Sequence, residues 1–164
     1  KLEYYQPSEI SQIIDRNASL LGIKIDPNAL EQMSHRVRLT PRIANRLLKR
    51  VRDWAQVHGS GDITLEALEA TLQLLEIDEY GLENADRKVM QTIIEQYNGG
   101  PVGVGTLAAS AGEERQTIED VYEPYLLQIG FLERTTRGRK ATPRAYKHLK
   151  IKQPADNIKQ PKLL

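Results

Sequence analysis

From Thr40-Pro41 onward, apolar residues return at the spacing of one helix face. Ile43, Ala44, Leu47, Leu48, Val51, Trp54 and Ala55 form a stripe, and Arg42, Arg46, Lys49 and Arg50 fall opposite it. A helix divided this way must bury its stripe against neighbours, which commits the surrounding chain to helical packing. Pro41 suits the first helical position, where its missing N–H has no partner to lose. Residues 34–52 carry seven cations and no acid. A cation in the first turn is unfavourable, because a helix N-terminus already bears about +0.5 charge. The cost is about 0.3–1 kcal/mol unless an anion is near. The backbone N–H groups of that turn are themselves an anion site. Arg42 is therefore either one side of a phosphate pocket or a surface arginine paired with an acid such as Glu31.

Punctuation elsewhere in the first half supports three companion helices. Ser8 follows Pro7 and can cap a helix over 8–21, with Ile10, Ile13, Ile14, Ala18 and Leu21 inward and Gly22 closing it. Asp26-Pro27 opens a second helix, with Leu30, Met33 and Val37 inward. Gly59-Ser60-Gly61 is a turn, and Thr64 caps a fourth helix to about Leu75. Residues 1–78 read as a four-helix domain, and Asp78-Glu79-Tyr80-Gly81 reads as a linker.

The second half has a different grammar. It predicts a helix over 85–97, stopped by Asn98-Gly99-Gly100-Pro101, and a short extended piece over 102–104. Thr106 then caps a helix over 107–111. A longer helix follows over 113–128, with a kink expected at Pro124. Residues 131–134 and 140–142 read as two strands around a Thr135-Thr136-Arg137-Gly138-Arg139 tip, and 143–150 as a last helix. This is the order of a winged helix, a helix-turn-helix variant. The fold class is mainly α: a four-helix domain over 1–78, a winged helix over 79–150 with a small β-hairpin, and a disordered tail over 151–164.

Bulk composition bounds function loosely. The 164 residues, 40% hydrophobic and 27% charged, suit one or two small domains. With no cysteine there is no disulfide framework and no thiolate zinc site. No apolar run approaches the roughly 18–20 residues that span a bilayer. The opening Lys1-Leu2-Glu3, without methionine, suggests a fragment. There is no P-loop and no metal-binding motif, and His35, His58 and His148 are scattered. The chain by itself is not expected to catalyse a reaction.

The net charge of +1 is unevenly spread. Residues 131–150 hold seven basic and one acidic side chain. Arg134, Arg137, Arg139 and Lys140 sit on the hairpin, suiting either a phosphodiester backbone or a charged, solvated edge. Residues 113–130 carry five acids against Arg115. That surface repels a polyanion, so the wing and not the helix should meet DNA. Tyr4 and Tyr5 either pack on the core or flank a flat ligand such as a nucleobase.

Four blocks together resemble a known family. Thr40-Pro41-Arg42-Ile43-Ala44-Asn45-Arg46-Leu47-Leu48, Asn98-Gly99-Gly100-Pro101-Val102-Gly103, Gly112-Glu113-Glu114-Arg115-Gln116-Thr117-Ile118-Glu119-Asp120 and Glu123-Pro124-Tyr125-Leu126 resemble RuvB, the bacterial Holliday junction branch-migration motors. The likeness runs from Leu2 to about Leu149. It implies the AAA+ lid and C-terminal winged helix of a cytoplasmic, hexameric ATPase that works on DNA with RuvA. The large domain, with the ATP site and its Mg2+, would be missing. By this resemblance Arg42 is the catalytic sensor-2 arginine at the ATP or ADP phosphates, and Tyr5 and Pro41 border the adenine. Arg134 and Arg139, with Arg137 beside them, would contact DNA. Leu39 stands where the family usually has glycine, and Thr136 where it usually has proline, which should loosen the tip. A non-enzymatic winged-helix regulator and another AAA+ protein such as a replication initiator are the competing readings.

Overall fold

The computed structural model describes residues 5–38 and 40–154. Expectations for Tyr4, Leu39 and the tail from residue 155 lie outside them. The chain divides into two compact units, Lys1–Asn84 and Ala85–Leu164.

The first unit holds α1 (Pro7–Leu20), α2 (Pro27–His35), α3 (Pro41–His58) and α4 (Leu65–Leu74). Gln6, not Ser8, caps α1: its backbone N–H donates to the Glu9 carboxylate at 2.7 Å, closing the turn across Pro7. Asp26 caps α2 by accepting from the N–H groups of Asn28 and Ala29. Thr64 caps α4 through the Ala67 N–H. Met33 and Val37 are fully buried as expected, while Leu30 is only half-buried and Ala29 takes the inward place beside it. Ile14, Met33, Leu48 and Leu68 are fully buried in one core. Each such side chain stabilises the unit by about 1.5–3 kcal/mol relative to exposure.

The segment expected to be a linker belongs to this unit. Leu82 is fully buried, and the Gly81 carbonyl accepts from Arg38 Nε at 3.2 Å. Gly81 has φ +71°, and a Cβ there would run into the Arg36 backbone, so the close approach requires glycine.

The second unit begins with α5 (Asn84–Gln91), which continues through a π turn at Thr92–Gln96. Val102 forms a single antiparallel bridge to Arg139, but Val104 already starts α6 (Val104–Ala111). Gly103, not Thr106, is the N-cap of α6, so the helix starts a turn earlier than the Thr106 signal implies. The expected long helix is divided into α7 (Arg115–Thr117), a π turn at Ile118–Tyr122 and α8 (Glu123–Gln128). Pro124 cannot donate to the carbonyl four residues back, and the wider π turn just before it absorbs that loss. Strands β1 (Leu132–Thr135) and β2 (Gly138–Ala141) pair antiparallel, with Arg134 opposite Arg139 and Thr135 opposite Gly138. The tip is thus Thr136-Arg137 alone, shorter than expected, because pairing continues through Gly138. Helix α9 (Pro143–His148) follows, two residues shorter than expected. Met90, Ile93, Leu107, Ile118 and Phe131 are fully buried in this unit.

The Asn98-Gly99-Gly100-Pro101 block lies along β2. The Gly99 carbonyl accepts from the Ala141 N–H at 2.9 Å, and Val102 exchanges both backbone bonds with Arg139. Gly100 has φ +92°, and a Cβ there would strike the Arg139 carbonyl. This glycine lets a third backbone segment lie against the hairpin.

Candidate functional site

The first candidate is the start of α3. Thr40 sits at the N-cap but gives no side-chain cap; its hydroxyl donates to the Arg38 carbonyl at 2.8 Å. The first turn is left without a capping oxygen, the condition in which an external anion is most favourable there. Arg42 is exposed and makes no hydrogen bond or ion pair among the described residues, with Glu31 or any other acid. Pro41 is half-buried in the same turn. Tyr5, just ahead of α1, is 44% exposed and is not a core residue. Along α3, Arg46 pairs with Glu83 at 3.0 Å, while Lys49 and Arg50 face solvent.

The second candidate is the wing of the second unit, where the arginines are not equivalent. Arg137 is exposed at the tip. Arg134 is 57% exposed and uses Nε alone, donating to Glu123 Oε1 at 2.9 Å. Arg139 is 12% exposed and donates through Nε and Nη2 to Glu123 at 3.0 and 2.9 Å, and through Nη2 to Glu119 at 3.3 Å. Its guanidinium is thus committed inward and has little surface left for a ligand, contrary to the expected parity with Arg134.

Sequence reasoning missed Glu123. It counted as one acid of a repelling helix face, yet it has no exposure and lies beneath the hairpin. Burial raises the pKa of its carboxyl, but the hydrogen bonds and charges of Arg134 and Arg139 outweigh that. They hold it below the ordinary carboxylate value. The same partnership raises Arg134, through its bond to Glu123 first and its charge second. The sequence signal was the i, i+4, i+8 series Arg115, Glu119, Glu123, which puts one cation and two acids on one helix face. The exposed acids of this stretch include Glu114 and Asp120.

A family model described as the RuvB AAA lid domain matches residues 5–78, and one described as the RuvB C-terminal winged helix domain matches residues 79–150. The chain is 51% identical to the structure of a Thermotoga maritima RuvB Holliday junction branch migration motor, with a TM-score of 0.90 over 93% of this chain and 51% of that one. A point mutant of the same protein gives 51% identity and a TM-score of 0.91, covering 94% of this chain and 51% of that chain. Another gives 50% identity and 0.90, covering 93% and 51%. The chain therefore spans about half the length of these structures.

Proposed function

The chain belongs to the RuvB family, and from that membership we propose that it is the lid and winged helix of an ATP-driven motor that migrates four-way DNA junctions. The observation that carries this reading is Arg42: exposed, without an acidic partner among the described residues, in the uncapped first turn of α3. Helix dipole and guanidinium converge there on one missing anion. The terminal phosphates of ATP or ADP, held by the large domain of the full-length protein, are the proposed occupant. ATP would supply the phosphoryl-transfer energy of the motor. This chain's own part is to bring Arg42 to those phosphates and Tyr5 and Pro41 to the base. The same reading assigns Mg2+ to the large domain of the full-length protein. A ring of six subunits, RuvA docked on the large domain and a cytoplasmic setting belong to the same proposal.

The wing would hold the DNA backbone. Among the described residues, Arg137 offers a guanidinium with no partner, and Arg134 keeps both Nη groups available beyond its bond to Glu123. Arg139 serves by holding the hairpin on the helix. Such contacts bind phosphate without reading sequence. The test is duplex affinity as a function of salt, over several unrelated sequences. Replacing Arg134 and Arg137 together by alanine should make the log–log slope shallower by about 1.8, from about 0.9 per contact. Affinities should be nearly equal across sequences. An unchanged slope would refute the wing contacts, and a strong preference for one sequence would mark a regulator instead.

A further inference from the structure

The wing arginines belong to a longer charge ladder that runs onto the helix. Arg115 Nε donates to Glu119 Oε2 at 3.1 Å. Glu119 Oε1 accepts from Arg139 Nη2, and Arg139 donates twice to Glu123. Glu123 Oε1 also accepts from Arg134 Nε. Signs alternate along the whole series: Arg115, Glu119, Arg139, Glu123, Arg134. Its centre is enclosed, with Glu123 fully buried and Arg139 12% exposed. Its two ends are open, with Arg115 at 66% and Arg134 at 57% exposure.

The two ends are chemically alike. Each guanidinium is tied to a carboxylate by Nε, and neither makes a further hydrogen bond or ion pair among the described residues. Each therefore presents its two Nη groups as a fork, the geometry that meets phosphate oxygens in pairs. Anchoring through Nε fixes the fork before the ligand arrives and reduces the rotamer entropy lost on binding. Arg139 stands between the two carboxylates and links the two ends of the series.

We propose that Arg115 is a second duplex-backbone contact matched to Arg134, and that Glu119 and Glu123 are positioning residues that hold the two forks through the Arg139 strut. The proposal rests on the wing reading above. It adds a cation on the helix, a surface whose acidic balance otherwise argues against contact with DNA. One phosphate is taken from the wing and another from the helix flank, so the helix edge lies beside the backbone without entering a groove.

The experiment measures binding of a fluorescent mixed-sequence duplex by the 164-residue chain over a range of salt concentrations. Arg115 is two-thirds exposed, so Arg115→Ala should fold normally. It should weaken binding several-fold and make the slope shallower by about 0.9. Arg115→Lys should keep the slope but recover only part of the affinity, since one ammonium cannot hold Glu119 and present a fork. Glu119→Gln is decided by sign. Removing a negative charge near a polyanion should strengthen binding if Glu119 only repels; loss of positioning weakens it. Weaker binding by Glu119→Gln supports the ladder, and stronger binding overturns the positioning role. If the Arg134 and Arg137 double variant flattens the slope and Arg115→Ala does not, this proposal fails alone. If neither does, the wing reading fails with it.

Discussion

Arg139→Ala should destabilise the second unit far more than any other removal of a wing cation. The side chain makes three of the hydrogen bonds in the network, two to Glu123 and one to Glu119. Without it, the fully buried Glu123 carboxylate keeps Arg134 Nε. Breaking a buried pair from one side costs about 3–5 kcal/mol, because the remaining charge is left poorly compensated. Arg134 stays in place, which puts the loss near the lower end, at about 3 kcal/mol. A domain of this size loses about 4–8 °C in melting temperature per kcal/mol, so a fall of roughly 12–24 °C is expected. Arg137→Ala is the matched control: an exposed tip residue, with an expected change within about 0.5 kcal/mol. Thermal unfolding followed by circular dichroism, with amide exchange of β1 and β2 to place the loss, measures both. If the two variants melt together, the buried network does not hold the hairpin.

Other outcomes follow from the same geometry. Glu123 binds its proton more weakly when folded, with Arg134, Arg139 and Glu119 around it, than when unfolded. Its stabilising share is therefore complete above the unfolded carboxylate value of about 4.3 and is lost as pH falls through the lower folded value. Denaturant midpoints across that acid range should fall more steeply for the native chain than for Glu123→Gln. Gly100→Ala places a Cβ against the Arg139 carbonyl at φ +92°, and should lower the melting temperature of the second unit without moving that of the first. Arg42→Ala should leave the lid's melting temperature unchanged or slightly raised, since a cation with no partner among the described residues leaves a helix N-terminus. A clear fall would show that Arg42 has a structural partner.

The helical frame was legible because its signals are local. The α3 stripe, the Asp26 and Thr64 caps and the glycine stops each act over a few residues, and the structure places them as their chemistry demands. Boundaries shifted where long-range geometry intervened. The Asp78–Gly81 segment has linker composition, yet the buried Arg38 reaches across to the Gly81 carbonyl. Val104 resembles strand, but the pairing with the hairpin ends at Val102 and Val104 already starts α6. That Pro124 interrupts the helix was readable; the π turn ahead of the proline was not. The exposed place of Arg42 in the first turn of α3 was legible, because Thr40-Pro41 is a local helix-start signal. The unequal roles of Arg134 and Arg139 were not, because they depend on an acid that is distant in sequence and looked exposed. Alternation along β1 and β2 puts Arg134 and Arg139 opposite each other but does not say which one turns inward.

The most direct test separates the two charge sites in the full-length protein, by measuring ATP turnover and four-way-junction migration side by side. Arg42→Ala should abolish most turnover while leaving duplex affinity intact. The Arg134 and Arg137 double alanine variant should keep DNA-independent turnover and lose migration. Native turnover in the first variant together with native migration in the second would contradict the account, since neither guanidinium site would then serve the motor.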